Sequence, residues 1–141
     1  MVRRWFSVTA LAALVALGGV GQASADTSTT HPKVITVGST FTLDLGESAT
    51  VRGRGVRVTF WAVTNDSRCR PGQVCIWEGD ATVHLSLTRR HRTVPVTLHT
   101  STRFNTTADA LGLRVRLLAL NTAGDVLTAR VDDLRGVPRH R

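Results

Sequence analysis

The sequence predicts an all-β fold, which we expect to be a single antiparallel β-sandwich of about seven strands with one disulfide. From Val34 onward, apolar and polar residues alternate in short segments, which is the period of a half-buried strand. Gly, Asn, Asp and Pro interrupt these segments about every ten residues, as hairpin turns do in sandwiches. Only residues 109–111 fit a single helical turn, and a small barrel is the alternative arrangement of the strands.

The clearest strand covers residues 56–63. Val56 and Phe60 point to one side of it, whereas Trp61 and Val63 make its opposite face apolar at the far end. We therefore expect this strand to be central and partly covered on both faces. The other expected strands are 41–45, 49–51, 81–88, 93–100, 113–119 and 127–131.

Two pairs of these segments predict hairpins. The segments 81–88 and 93–100 flank an arginine-rich loop, and Pro95 indicates that the second of them lies at a sheet edge, because proline has no amide hydrogen to donate. The segments 113–119 and 127–131 flank a turn of the Asn/Gly/Asp kind.

Residues 1–25 have the pattern of a secretory signal peptide. Arg3 and Arg4 precede a short, mostly apolar run, and an Ala-x-Ala sequence ends at Ala25. We expect cleavage after Ala25 and an exported protein in the periplasm, the wall space or the medium. The apolar run is too short for a membrane span, and no cysteine near the cleavage point offers a lipid anchor. General and twin-arginine export both remain open.

The remaining chain divides into a flexible leader at 26–33, one β-sandwich domain at 34–131 and a basic C-terminal tail at 132–141. After removal of two signal-peptide arginines, 16 basic residues face 10 acidic ones, a net charge of +6. Such a charge predicts attraction to polyanions such as wall polymers, or alternatively a merely soluble surface. Because no nucleic-acid-binding module is present and aromatic residues are few, we expect no specific nucleic-acid partner.

The most unusual stretch covers residues 65–81. It contains both cysteines of the chain, Cys69 and Cys75, separated by five residues that include Pro71 and Gly72. In an exported chain these cysteines are expected to form a disulfide that fixes the loop. A zinc site would need further ligands at finger-like spacing, and a thioredoxin-type redox pair would have two intervening residues. We expect no cofactor.

Three acidic residues, Asp66, Glu78 and Asp80, lie in the same stretch and could converge. Convergence would give a calcium site or an acid/base pair for hydrolysis. The alternative is structural: Asp66 caps the turn that follows it, and Arg68 or Arg70 pairs with Glu78. We favour the structural reading, because the spacing matches no calcium loop.

Two apolar residues accompany these acids. Ile76 is expected to turn inward, and Trp77 is expected to lie against the loop or the sheet edge, because a large indole buries much area.

The stretch resembles a motif of small exported bacterial β-rich proteins and lipoproteins without an established activity, which typically reads D-S-R-C-P, four residues, then C-x-W-x-G. Seven positions of this chain match the motif: Asp66, Ser67, Arg68, Cys69, Cys75, Trp77 and Gly79. Arg70 stands where the family has proline, and Pro71 follows one position later. The resemblance implies an exported, β-rich, disulfide-bonded domain and leaves function open.

Two other groups of residues are candidates for binding. The densest positive cluster, Arg89, Arg90 and Arg92, lies at the expected tip of the first hairpin and suits phosphates or carboxylates. His84 and His99 would face each other in one hairpin register and lie diagonally in a tighter one, and they are only weak candidates for metal ligands.

These observations favour a non-enzymatic exported domain that binds a protein or an anionic envelope polymer. The candidate binding residues are Asp66, Arg68, Trp77, Glu78, Asp80, Arg89, Arg90 and Arg92. No catalytic motif is present, so an enzyme is the less favoured reading. Two alternatives remain: an extracellular hydrolase that uses the acids of the 66–80 loop, and an inhibitor of an extracellular enzyme.

Overall fold

A computed structural model describes residues 32–136 of the chain. These residues form nine strands and a short 3₁₀ turn, which lies at Leu134–Gly136. The strands are β1 (Lys33–Ile35), β2 (Thr40–Asp44), β3 (Ser48–Val51), β4 (Val56–Thr64), β5 (Thr82–Arg89), β6 (Arg92–His99), β7 (Thr107–Ala110), β8 (Leu113–Leu120) and β9 (Val126–Asp133).

The strands form two sheets, as a β-sandwich requires. Sheet 1 has the order β1-β3-β4-β5-β6, and sheet 2 has the order β2-β9-β8-β7. Within the described residues neither sheet closes on itself, so the sandwich is confirmed and the barrel alternative is wrong. Every strand pair is antiparallel except β1 with β3, which is parallel. β6, which contains Pro95, is an edge strand as expected.

The core lies between the inner faces of the two sheets. Alternate residues of each long strand are fully buried, which is the period-two pattern seen in the sequence. From sheet 1 these include Val56, Val58, Phe60, Val83, Leu85 and Leu87, and from sheet 2 Leu113, Val115, Leu127, Ala129 and Val131.

The expected helical turn at 109–111 is wrong. Thr107–Ala110 is a strand that pairs with β8, and the connection between them is the two-residue turn Leu111–Gly112. Both turn residues have positive φ, +52° and +79°, as the tight hairpin turn that matches strand twist requires. The glycine tolerates this conformation, so the chain reverses instead of entering a helix.

The expectation that β4 is covered on both faces holds for only one of them. The strand is central, but Trp61 on its outer side is 53% exposed. A register shift between Phe60 and Ala62 leaves Trp61 as an extra residue of β4. The alternation reverses beyond it, so Val63, expected on the outer face, lies opposite the buried Val83 and packs against the core.

The strands extend slightly beyond the predicted domain limits of 34–131. β1 begins at Lys33, and β9 continues to Asp133 before the 3₁₀ turn. The predicted signal peptide, most of the leader and the end of the basic tail lie outside the described residues.

No helix within residues 32–136 is long and apolar enough to cross a membrane. The two cysteines form the expected disulfide, which is typical of an oxidising, extracytoplasmic compartment.

Replacement of a core leucine tests the sandwich. We expect Leu127→Ala to lower the free energy of unfolding by about 2–5 kcal/mol, because it leaves a cavity between the sheets. Leu118→Ala is the matched control, since Leu118 is 48% exposed on the neighbouring strand and should change stability by less than about 1 kcal/mol. Urea unfolding measures both variants, and equal losses would contradict the assigned core.

Candidate binding site at the disulfide loop

The connection between β4 and β5, residues 65–81, is called the disulfide loop below. Its two arms continue the antiparallel pairing beyond the strands. The Ser67 amide donates to the Asp80 carbonyl at 2.7 Å, and the Cys69 amide donates to the Glu78 carbonyl at 2.9 Å. The Ser67 hydroxyl also bonds the Asp80 backbone. The loop therefore has a hydrogen-bonded stem.

The disulfide closes the outer end of this stem. Cys69 and Cys75 are bonded, with their Cα atoms 5.9 Å apart. Between them the chain reverses at Pro71 and Gly72, and the Gln73 amide donates to the Arg70 carbonyl. The crosslink limits the conformations of the loop in the unfolded chain as well. Less conformational entropy is therefore lost when the tip takes its folded shape.

Arg68 ties the loop to the opposite sheet. Its Nε and Nη2 atoms donate to the two carboxylate oxygens of Asp66 at 2.9 and 2.7 Å. Its Nη1 donates to the backbone carbonyls of Leu120 and Asn121, at the turn between β8 and β9. One guanidinium thus joins the β4–β5 connection of sheet 1 to a hairpin of sheet 2, using the planar donor geometry that arginine has and lysine lacks.

Asp66 therefore has a structural role. Its carboxylate also accepts from the Arg68 backbone amide, which is the turn cap that the sequence suggests. The hydrogen bonds from the Arg68 side chain hold the pKa of Asp66 below its ordinary value of 3.8, against the opposing effect of burial. The predicted pairing of Arg68 or Arg70 with Glu78 is wrong: Arg68 pairs with Asp66, and no ion pair among the described residues joins Arg70 to Glu78.

Gly79 is required where the two arms of the stem meet. Its φ is +76°, and a Cβ atom there would lie 2.0 Å from the backbone oxygen of Ser67. Any side chain would therefore overlap the opposite arm. This contact gives a physical reason for the glycine of the W-x-G sequence.

Asp80 is buried below the loop and anchors the chain that follows β6. Its carboxylate accepts from the Ser101 amide at 2.9 Å, the Thr100 hydroxyl at 3.2 Å and the His99 ring at 2.6 Å. Burial raises the pKa of Asp80, but these hydrogen bonds outweigh burial and hold the pKa below 3.8. Asp80 therefore stays ionised at neutral pH.

Trp77 and Glu78 lie on the outside of the stem. Glu78 accepts a hydrogen bond from the Ser101 hydroxyl at 3.0 Å. Trp77 is 39% exposed, and the Arg103 guanidinium lies 5.5 Å from the centre of its ring, within range of a cation–π contact. Trp77 is thus held by Arg103, which follows β6, and part of its surface is free.

The tip of the loop exposes two aliphatic side chains to solvent. Val74 and Ile76, on either side of Cys75, are fully exposed. The prediction that Ile76 turns inward is therefore wrong, because the disulfide holds the tip away from the sheets. Among the described residues, no hydrogen bond uses a backbone amide or carbonyl of residues 74–77.

The three acids do not form a common site. Asp66 lines a cleft of about 420 Å³ between the loop and the β8–β9 turn, whereas Glu78 lines a neighbouring cleft of about 230 Å³. Asp80 lines neither of them. Asp66 accepts from Arg68, whereas Asp80 and Glu78 accept from the amide and the hydroxyl of Ser101, respectively.

The basic hairpin tip is at the other end of the molecule. β5 separates it from the disulfide loop by eight residues, about 23 Å of extended chain. Arg89 is partly buried and donates to the Leu111 carbonyl at 2.7 Å, so it joins the two sheets, whereas Arg90 and Arg92 are exposed. The predicted binding residues therefore divide between two distant surfaces.

His84 and His99 are not placed opposite each other to bind a common metal ion. β5 and β6 pair in the tighter register, with Leu87 opposite Val94, so His84 faces Thr97 rather than His99. His84 bonds the Thr64 hydroxyl at 2.8 Å, whereas His99 bonds Asp80. Within residues 32–136, no group of three or more His, Cys, Asp or Glu side chains could hold a metal ion.

Several residues of this surface are absent from the sequence-based prediction. Thr100, Ser101 and Arg103 all follow β6, about twenty residues beyond the loop that they contact. No motif marks them, and only the strand register brings them to the stem.

Comparisons of this chain with protein-family models, with curated proteins and with solved structures give no match. The fold and the disulfide loop therefore define the class of protein, a β-sandwich domain with a rigid projecting loop.

Gly79→Ala tests the stem. We expect the free energy of unfolding to fall by at least about 4 kcal/mol, or the variant not to fold, because the added Cβ atom overlaps the Ser67 carbonyl. Gly72→Ala is the matched control, since Gly72 has a similar φ of +83° but open space around it, and it should cost only about 1–2 kcal/mol of backbone strain. Thermal unfolding followed by circular dichroism measures both, and equal costs would refute the steric role of Gly79.

Acid unfolding tests the carboxylates of Asp66 and Asp80. Asp66 and Asp80 have lowered pKa values in the folded state, so their stabilisation is complete above the unfolded value near 3.8 and is lost as the pH falls through the folded values. Asp80→Asn should therefore be less stable than the wild type at pH 6, and this difference should shrink toward pH 2. Urea titrations across that range measure the difference; a difference that stays constant with pH would contradict the linkage.

Proposed function

We propose that this chain is an exported, non-enzymatic binding domain that presents the tip of the disulfide loop to a protein partner. The observation that carries the proposal is the full exposure of Val74 and Ile76 on a loop that is otherwise extensively fixed. Two aliphatic side chains held in water are unfavourable for the free domain, and they become favourable when a partner covers them.

The rigidity of the loop supports this role. The disulfide, the backbone stem and the Arg68 contacts fix the tip before binding. A partner would therefore meet a preorganised surface, and less conformational entropy would be lost on association. Trp77, partly exposed beside the tip, adds the kind of aromatic side chain that often dominates binding energy.

The acids of the loop weigh against the hydrolase alternative. A general acid at neutral pH needs a raised pKa, and the pKa values of Asp66 and Asp80 are lowered instead. Glu78 shares no cleft with either of them among those described above. This distribution supports a binding role for the surface.

The inhibitor alternative is a special case of the same proposal. The backbone groups of residues 74–77 are without hydrogen-bond partners among the described residues, so the tip could pair with the extended-substrate cleft of an enzyme. The disulfide is consistent with such a partner in an oxidising compartment, and residues 1–25 would direct export.

Photo-crosslinking in the native host tests the proposed surface. A photoreactive amino acid at position 76 should give one discrete protein adduct, because the side chain at the tip would be covered by the partner. The same amino acid at position 42 is the control, since Thr42 is exposed on the outer side of sheet 2. Equal labelling from both positions, or none from position 76, would contradict the proposal.

The partner identified in this way then permits a quantitative measurement. Ile76→Asp should weaken its binding at least tenfold, as expected for a central interface residue. Loss of the partner's own enzymatic activity on stoichiometric binding would distinguish the inhibitor from other binding proteins.

A further inference from the structure

The outer face of sheet 1 has an unusual composition. Strands β3, β4, β5 and β6 together contain no acidic residue. Hydroxyl side chains lie side by side across the strands, as in the row in which Thr50, Arg57 and Thr88 are paired in register. The next row pairs Thr59 with Ser86. This face is therefore polar, hydrogen-bonding and without negative charge.

Two arginines occupy one end of the face. Arg57 and Arg90 line a cleft of about 230 Å³ together with Thr50, Gly55 and Thr88. Both arginines are exposed, and neither belongs to an ion pair among the described residues. Free guanidinium groups beside hydroxyl donors are suited to a phosphate or carboxylate group.

An aromatic platform occupies the other end. The Trp61 ring lies 5.1 Å from the His84 ring, and His84 is in turn bonded to the Thr64 hydroxyl. These contacts hold the indole in place while about half of its surface remains exposed. Trp61 is four residues from Arg57 along β4, a separation of about 13 Å. A ligand that contacts both must be extended.

We propose that this face binds an acidic polysaccharide, a glycan whose sugar residues carry phosphate or carboxylate groups. An acid group pairs with Arg57 and Arg90, and a sugar ring packs against Trp61. The hydroxyls of Thr59 and Ser86, which lie between the arginines and Trp61, hydrogen-bond the sugar hydroxyls. A protein partner fits this face less well, because the face offers one indole among hydroxyl groups rather than an apolar patch. The surface is separate from the disulfide loop and does not depend on its function.

Binding measurements with four defined polymers test the ligand chemistry. Polygalacturonate carries carboxylates on sugars, phosphomannan carries phosphates on sugars, polyphosphate has charge without sugar, and dextran has sugar without charge. We expect the protein to bind polygalacturonate or phosphomannan at least tenfold more tightly than both polyphosphate and dextran, as measured by isothermal titration calorimetry at physiological salt. Whichever acidic glycan binds identifies the acid group. Equal or tighter binding of polyphosphate or dextran, or no binding of either acidic glycan, would overturn the proposal.

Variants then test the site. Arg57→Gln with Arg90→Gln should weaken binding of the preferred glycan at least tenfold, and Trp61→Ala should weaken it severalfold. Arg116→Gln with Arg130→Gln is the charge-matched control, because both residues are exposed on the outer side of sheet 2. Losses as large in the control as in the Arg57/Arg90 variant would overturn the proposal, since charge alone would then explain the binding.

The indole N–H signals in NMR spectra of the unmutated protein test the location of the binding site independently. The Trp61 signal should shift on addition of the glycan while the Trp77 signal stays in place. A shift confined to Trp77 would locate the polymer at the disulfide loop and overturn the assignment.

Discussion

The guanidinium of Arg68 connects the two halves of this molecule at the end that carries the disulfide loop. It uses three nitrogen atoms to reach one carboxylate and two backbone carbonyls, and these acceptors belong to connections of different sheets. Carbonyls at the end of a hairpin need hydrogen-bond partners, and a carboxylate near the surface is stabilised by a fixed cation. This side chain therefore fixes the loop to sheet 2, while Asp80 and Glu78 fix it to the segment after β6.

The residues that make the loop sequence distinctive have structural explanations. Asp66 orients Arg68, Ser67 bonds the opposite arm, and Gly79 leaves room for that arm to approach. The two cysteines close the end of the stem. The motif therefore builds a support for the loop, and it leaves Val74 and Ile76 at the tip exposed to solvent.

The arginines of the chain divide by what surrounds them. Arg54 pairs with Asp133, Arg68 with Asp66 and Arg114 with Asp109, so part of the positive charge is paired within the domain. Arg57 and Arg90 lie on a face without acids. The net charge of the sequence gives only the excess of basic over acidic residues. The strand register then shows which arginines are paired with acids and which are not.

The sequence by itself determined the sandwich, most of the strands, the inward residues and the disulfide, because all of these follow from local properties. Alternation places every second residue of β5 and β9 in the core, and Pro71 with Gly72 allows the chain between Cys69 and Cys75 to reverse. Where local signals were weak, prediction failed: Leu111–Gly112 forms a hairpin turn, and Ile76 points outward. The tertiary structure alone decided which residues meet across long separations. It brought Arg68 to Leu120 and Asn121, and Asp80 to Ser101, while it placed the basic hairpin tip at the opposite end from the loop. These contacts depend on sheet order and register, and sheet order and register are set by how all the strands pack together rather than by any single segment.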